Sequence, residues 1–293
     1  MDINAFKVFR TVAVEGSVTK AARRLSYVQS NVTARIQQLE KELGVPLFYR
    51  EHRKMTLTPA GQTLLPYANQ LLKILHEATT AVLDSSVPHS PLSIGAMEST
   101  AAVRLPEIIA QYHQLHPQVE LQVLTAPTEV LIEAVLEREI EGGFVDGPVH
   151  HPDLVDELTF EERLVLVTSP SDEPFRLEDV LSEPLLMPFK RCVYLERWQR
   201  WLKEQGYRPA RVMEFGTLDG IFGCIENGFG VTVVPYSVIA AVANQRRVRR
   251  FPIPDPHGVV PTVFIRRRDL YVTTALRTFI DFARSLLSKL SQR

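Results

Sequence analysis

The 293-residue sequence predicts a multidomain α plus α/β protein, with a small helical head, a linker helix and a body of two α/β lobes. Three observations predict it. Residues 3–43 carry three successive apolar stripes at helical spacing. Residues 64–82 carry apolar residues in alternating steps of four and three. Residues 91–293 alternate strand-like runs with helical patterns, the order that builds parallel strands with crossover helices. A chain of this length suits two or three compact units. An apolar content of 45% supplies their cores and excludes a disordered chain.

In the head, Ile3, Phe6, Phe9, Val12 and Ala13 recur on one helical face over residues 3–14, and Gly16 ends that helix. Ser17 is a cap for a second helix whose short apolar face is Ala21, Ala22 and Leu25. Ser26-Tyr27-Val28 is a tight connection to a third helix, from about Gln29 to Leu43, stopped by Gly44. Val32, Ile36, Leu39 and Leu43 give that helix one buried stripe. Its leading polar face carries Gln29, Ser30, Asn31, Thr33, Ala34 and Gln37. A merely solvated face favours Glu and Lys. Amides, hydroxyls and small side chains are instead what base edges in a major groove require. Two short helices joined by a tight turn, the second polar at its leading end, form the helix-turn-helix plan. Basic Arg50-Glu51-His52-Arg53-Lys54 followed by alternating Met55–Thr58 predicts a hairpin wing beside it, completing a winged helix-turn-helix over residues 1–60. Charge agrees: residues 1–60 hold ten Lys/Arg against five acids, a net of +5, while the remainder nets −6. A basic head on an acidic body suits a polyanion.

These residues resemble the LysR-type transcription regulators. The match runs through Phe6, Ser17, Thr19, Ala21, Ala22 and Leu25, then Gln29 to Gly44, Pro46 to Arg50, and Leu57 to Gly61. The sequence departs from the family pattern at Val28, where many members carry a capping Ser, and at Asn31, where Ala is common. The resemblance implies a regulator that binds double-stranded promoter DNA, answers a small-molecule effector and engages RNA polymerase. The expected DNA contacts are Gln29, Ser30, Asn31, Thr33, Arg35 and Gln37 on the third helix, with Arg50, Arg53, Lys54 and Thr58 at the wing.

Thr58-Pro59 starts the linker, expected over 58–90 including a polar hinge. Leu64, Ala68, Leu71, Leu75, Ala78 and Val82 form a seam of about three heptads, which calls for a partner helix from a second copy. The resemblance implies the same homodimer, or a homotetramer. Pro66 is expected to kink the helix or free a carbonyl.

In the body, strands are expected at 92–96, 119–124 and 142–145, with helices at 100–115 and 128–138. A second set has strands at 164–168, 185–187, 212–215 and 231–234, and helices at about 194–205 and 217–227. Residues 263–265 then lead into a C-terminal helix. The two sets predict an effector-binding domain over 91–293, with lobe I at about 91–161 and 266–293 and lobe II at about 162–265. The family resemblance, looser here, rests on Leu105-Pro106, His116-Pro117, Gly143-Phe144-Val145 and Gly228 to Pro235, and implies a sensor like a periplasmic binding protein. Ligands in such folds sit at strand ends and helix starts. Ser99, Thr100 and Thr128 occupy such places, where the resemblance implies hydroxyls that hold an anionic effector. Lys190, Arg191 and Thr217 are further candidates by position, while Glu98 and Asp146 near strand ends oppose an anion.

Other classes fit less well. No nucleophile elbow, paired carboxylates or ligand set at metal spacing appears, so neither an enzyme nor a cofactor is expected. Cys192 and Cys224 are too few for a disulfide framework, and only Cys192, beside Lys190-Arg191, has the basic neighbours of a reactive thiol. The first residues lack the pattern of a secretory signal, and the apolar stretch at 221–243 is broken by Glu226, Asn227, Gly228, Gly230 and Pro235. A cytoplasmic protein is expected.

Overall fold

A computed structural model describes residues 2–51, 54–174, 176–189, 192–208, 211–242 and 245–290. Contacts divide the chain into two compact units, meeting in sequence at Leu83 and Asp84.

The first unit begins with α1 (Ile3–Glu15), α2 (Val18–Leu25) and α3 (Gln29–Leu43). Local chemistry sets their ends. The Asp2 carboxylate accepts from Ala5 N at 2.7 Å, and Gly16 leaves α1 at φ 60. Ser17 caps α2, Ser26 ends it in the left-handed region, and Gly44 closes α3 at φ 74. Val28 precedes α3 with no side-chain cap, as its missing hydroxyl implies. Phe6, Phe9, Val12, Ala21, Ala22, Val32, Ile36 and Leu39 close over Leu47 and Phe48 in one core. The expected wing is an antiparallel hairpin, β1 (Phe48–Glu51) and β2 (Lys54–Leu57). Met55 N bonds Gly16 O at 2.9 Å and so ties the wing to the turn between α1 and α2.

The linker helix is α4 (Pro59–Leu83), which runs unbroken through Pro66. Gly61 explains the glycine of the Leu-Thr-Pro-Ala-Gly stretch: a Cβ there would lie 2.2 Å from Leu47 O, so only glycine lets the helix pass the wing. Ala68 and Leu64 pack into the head's core. Beyond them Leu71, Ile74, Leu75 and Val82 are 41%, 49%, 41% and 85% exposed. The expected seam is therefore partly occupied by its own head and otherwise uncovered in the single chain.

The second unit opens with β3 (Leu92–Ala96), α5 (Glu98–Val103), α6 (Leu105–Leu115), β4 (Leu121–Thr125), α7 (Thr128–Leu136) and β5 (Gly142–Asp146). β3 pairs in parallel with both β4 and β5. Residues 100–115 are thus two helices rather than the single one expected. Pro106 lacks an N–H and crowds the preceding turn, which breaks the helix at Arg104. β6 (Leu154–Thr168) follows, three times longer than expected. Its first part alternates buried and exposed residues, with Asp156, Glu157 and Glu161 interrupting the apolar run that marks its end.

The second lobe comprises α8 (Leu177–Leu181), β7 (Leu185–Met187), α9 (Val193–Glu204), β8 (Val212–Glu214), α10 (Leu218–Glu226), β9 (Thr232–Pro235), α11 (Tyr236–Val242) and β10 (Arg249–Pro252). β11 (Val259–Arg267) and α12 (Thr274–Leu290) return the chain to the first lobe. The sheet is mixed. β3 is parallel to β4 and β5, but β11 runs antiparallel to β5 and β6, and β9 and β10 are antiparallel to β6; β7 and β8 form a separate parallel pair. Residues 154–163 of β6 pair with β11, and 164–168 pair with β9 and β10. One continuous strand thereby serves both lobes. Each lobe packs helices on both faces: α6 and α12 opposite α7 in the first, α9 opposite α10 and α11 in the second.

Candidate functional site

In the head, Val32, Ile36 and Leu39 are almost wholly buried, which turns Gln29, Ser30, Asn31 and Gln37 to solvent. Thr33 and Arg35 are half-buried. Arg35 is already held: Nε donates to Asn31 Oδ1 at 2.9 Å and Nη1 to Asp2 Oδ2 at 3.2 Å. Its guanidinium lies 6.0 Å from the Tyr27 ring centre. Asn31 and Arg35 therefore form one hydrogen-bonded unit on the exposed face. Arg50 donates to Glu40 Oε2 at 2.8 Å, while Glu40 Oε1 accepts from Leu47 N and Phe48 N. That carboxylate fixes the wing's base and orients Arg50. Lys54 is exposed on β2, and Arg53 lies outside the described residues. Thr58 must be corrected. It is only 4% exposed, donates to Pro46 O at 2.7 Å and accepts from Gly61 N at 3.1 Å. Its hydroxyl is consumed as the cap of α4 and has none left for DNA.

In the second unit, a cavity of about 60 Å³ opens between the lobes. Lobe I contributes Glu98 and Ser99 from the start of α5, Thr128 and Glu129 from the start of α7, and Asp146 from the end of β5. Lobe II contributes Phe189, Cys192 and Tyr194 around the start of α9, Leu218 at the start of α10, and Val233, Val234 and Pro235 on β9. Strand ends and helix starts converge here because each crossover delivers its loop to the same edge.

Among the described residues, two hydrogen bonds join lining residues across the cleft. Ser99 Oγ lies 3.0 Å from Tyr194 Oη, and Leu218 N donates to Glu98 Oε1 at 2.9 Å. Burial raises the Tyr194 phenol well above its ordinary range, so it remains neutral. Thr128 Oγ1 donates to Asp146 Oδ2 at 3.2 Å. Asp146 is 8% exposed and its Oδ1 has no hydrogen-bond partner; the same is true of Glu98 Oε2. Burial, only partly offset by Thr128, pushes the Asp146 carboxyl up to about 7. Burial raises Glu98 as well. Close by, Arg104 Nε donates to Glu162 Oε1 and Ser237 Oγ to Glu162 Oε2, both at 2.9 Å, which joins α11 to the break between α5 and α6.

Of the expected effector residues, Ser99 and Thr128 line this cavity. Thr100 does not: it is buried one residue farther along α5. Thr217 caps α10 by accepting from Gly220 N at 3.3 Å and faces solvent. Lys190 and Arg191 lie outside the described residues. Sequence reasoning missed Phe189, just beyond β7, and Tyr194, in the first turn of α9, both of which line the cavity. Burial pushes the Cys192 thiol up to about 12, which disfavours the thiolate at neutral pH. Among the described residues, no group of three or more His, Cys, Asp or Glu is placed to hold a metal ion, and no helix is long and apolar enough to cross a membrane.

Comparison with known proteins agrees with both units. Residues 3–62 match the bacterial regulatory helix-turn-helix protein, LysR family, and residues 85–288 match the LysR substrate binding domain. The chain is 45% identical to the HTH-type transcriptional regulator GltR of Bacillus subtilis, over 97% of this chain and 96% of that one. It is 40% identical to the regulator CzcR of Bacillus cereus, over 96% of each. In fold it is similar to a full-length OxyR variant from Pseudomonas aeruginosa, with TM-score 0.71, 21% identity, and coverage of 97% and 95%. It is likewise similar to full-length CbnR solved with its target DNA, with TM-score 0.68, 24% identity, and coverage of 97% and 99%. A helix-turn-helix head with a polar leading helix, carried with a substrate-binding fold and matched to such relatives along nearly its whole length, makes this chain a DNA-binding transcription regulator of the LysR family, not an enzyme.

Proposed function

We propose that this regulator binds promoter DNA as a homodimer or a pair of dimers in the cytoplasm and answers a small-molecule effector held between the two lobes. The observation that carries the effector reading is the pair of cross-cleft bonds, Ser99 to Tyr194 and Leu218 to Glu98, around a cavity lined from both sides. An effector seated there changes the bonds that hold the lobes together. It therefore has different affinities for open and closed forms, the condition for any ligand-driven shift. The altered sensor then changes the spacing or bend of bound DNA and its engagement of RNA polymerase. Gln29, Ser30, Asn31, Thr33, Arg35 and Gln37 read base edges, while Arg50, Lys54 and, by sequence, Arg53 hold phosphates. The DNA-bound structure of CbnR supports the assignment of the head, and the exposed seam of α4 supports the dimer.

The test is selection of genomic fragments by purified full-length protein. Recovery of a dyad-symmetric promoter site is expected. Its binding should weaken with salt at a log–log slope of roughly −0.9 per phosphate contact. Failure to enrich any sequence, with or without extracts of small metabolites, would overturn the reading.

A further inference from the structure

The chemistry of the cleft narrows the effector class. Among the described residues its lining contains the carboxylates Glu98, Glu129 and Asp146 and no Lys, Arg or His. Asp146 is more than nine-tenths buried, lines the cavity and has an oxygen, Oδ1, with no partner. Glu98 Oε2 is a second unpartnered acceptor in the same lining. A buried carboxylate left unpaired is costly, and it is relieved by a proton or by a cation that donates hydrogen bonds. Apart from the hydroxyls of Ser99 and Thr128, the rest of the described lining is largely apolar or aromatic, including Phe189 and Tyr194, and aromatic faces attract cations. A volume of about 60 Å³ holds a small head group, roughly two waters' worth of space.

From these observations we propose that the cleft takes a small organic cation, a protonated amine whose N–H groups meet Asp146 Oδ1; this rests on the reading of the cleft as the effector site. In the empty cleft Asp146 meets its burial by holding a proton, and the amine displaces it. Among the described residues, the charged groups acting on Asp146 include Glu129 and Glu196, which favour its protonated form, and Arg197, which opposes it. Among the described residues, an anion entering the same space would meet Glu98 and Glu129 and, once Asp146 has lost its proton, a third carboxylate.

The experiment is calorimetric titration of the full chain with propylamine, and with propionate and propanol as size-matched controls, in buffers of different ionisation enthalpy. Propylamine is expected to bind with proton release. Its affinity should rise about tenfold per pH unit below pH 6 and level off above about 7. Asp146→Asn, which keeps the shape of the side chain, should weaken it by about 30-fold or more. Proton linkage in the unaltered protein tests the proposal independently of that variant's folding. Propionate binding with proton uptake, abolished by Asp146→Asn, would overturn the cation and leave the cleft as the effector site. Binding of neither ion would also overturn the cation. Binding of either that ignores Asp146→Asn and Tyr194→Phe alike would overturn the cleft reading with it.

Discussion

At the scale of single residues, hydrogen-bond partners decide which side chains are available for function. Thr58 and Thr217 have the composition of contact residues, but their hydroxyls cap helices. Asn31 is exposed and also holds Arg35 through Oδ1, so Asn31→Ala should remove an amide from the exposed face of α3 and leave the guanidinium held by Asp2 without its second anchor. Base preference in a fragment selection is expected to change, by about 1–3 kcal/mol at the affected position. Lys54→Ala should instead weaken all sequences about equally and shrink the salt slope by about one phosphate contact. The opposite pattern would exchange reader and clamp. Asp146 makes a prediction about stability. Its folded value of about 7 stands above the ordinary aspartate value of 3.8. Between about pH 4 and 7 the native protein then holds a proton that the unfolded chain has lost, so stability falls as pH rises through that window and is level above it. Denaturant melts of the second unit's transition should show this fall in the unaltered protein and lose much of it in Asp146→Asn.

At the scale of elements, legibility followed the strength of the local signal. The helices of the head announce themselves through periodic apolar stripes and end at Gly16 and Gly44, where a left-handed backbone suits glycine. β7, with Leu185–Met187 fully buried, was equally legible. The first part of β6 was not, because acidic residues fill its exposed face and only tertiary pairing with β11 makes it a strand. β10 was hidden likewise: Arg249 and Arg250 interrupt a short alternating run that acquires its register from β6. The cleft was half legible. Helix starts after strands pointed to Ser99 and Thr128, but Tyr194 comes from the opposite lobe, at a sequence distance that no local pattern spans. The α4 seam carries its own prediction. Leu71 and Leu75 are each 41% exposed, and a second copy would bury the remainder. Leu71→Glu with Leu75→Glu is expected to convert the assembly to monomer in sedimentation experiments while leaving the helical signal of the head intact. An unchanged oligomer would move the interface elsewhere.

At the scale of the whole molecule, the basic head supplies affinity for a polyanion, while the acidic remainder carries the substrate-binding fold to which the proposed function assigns the ligand. The second unit's two lobes share the strand β6, so they are joined rather than separate. Their relative position rests on a few polar contacts, Ser99–Tyr194, Glu98–Leu218 and the Arg104–Glu162–Ser237 chain. Glu162 is the most demanding member. It is buried, and both of its oxygens are taken by donors from different elements. Arg104→Ala would strand that charge and should cost about 3 kcal/mol, because the loss is the penalty of an unpaired buried carboxylate rather than the worth of one contact. Arg104→Ala with Glu162→Gln removes the charge together with its partner, so the double variant should recover much of that loss. If lobe position also sets DNA affinity, reciprocity requires any change in the cross-lobe bonds to alter operator binding without a change at the head. Tyr194→Phe deletes one such bond and keeps the ring. Its operator affinity should shift by about fivefold in one direction, with base preference and salt slope unchanged. An operator isotherm identical to that of the unaltered protein would mean that these bonds hold the sensor together without informing the head.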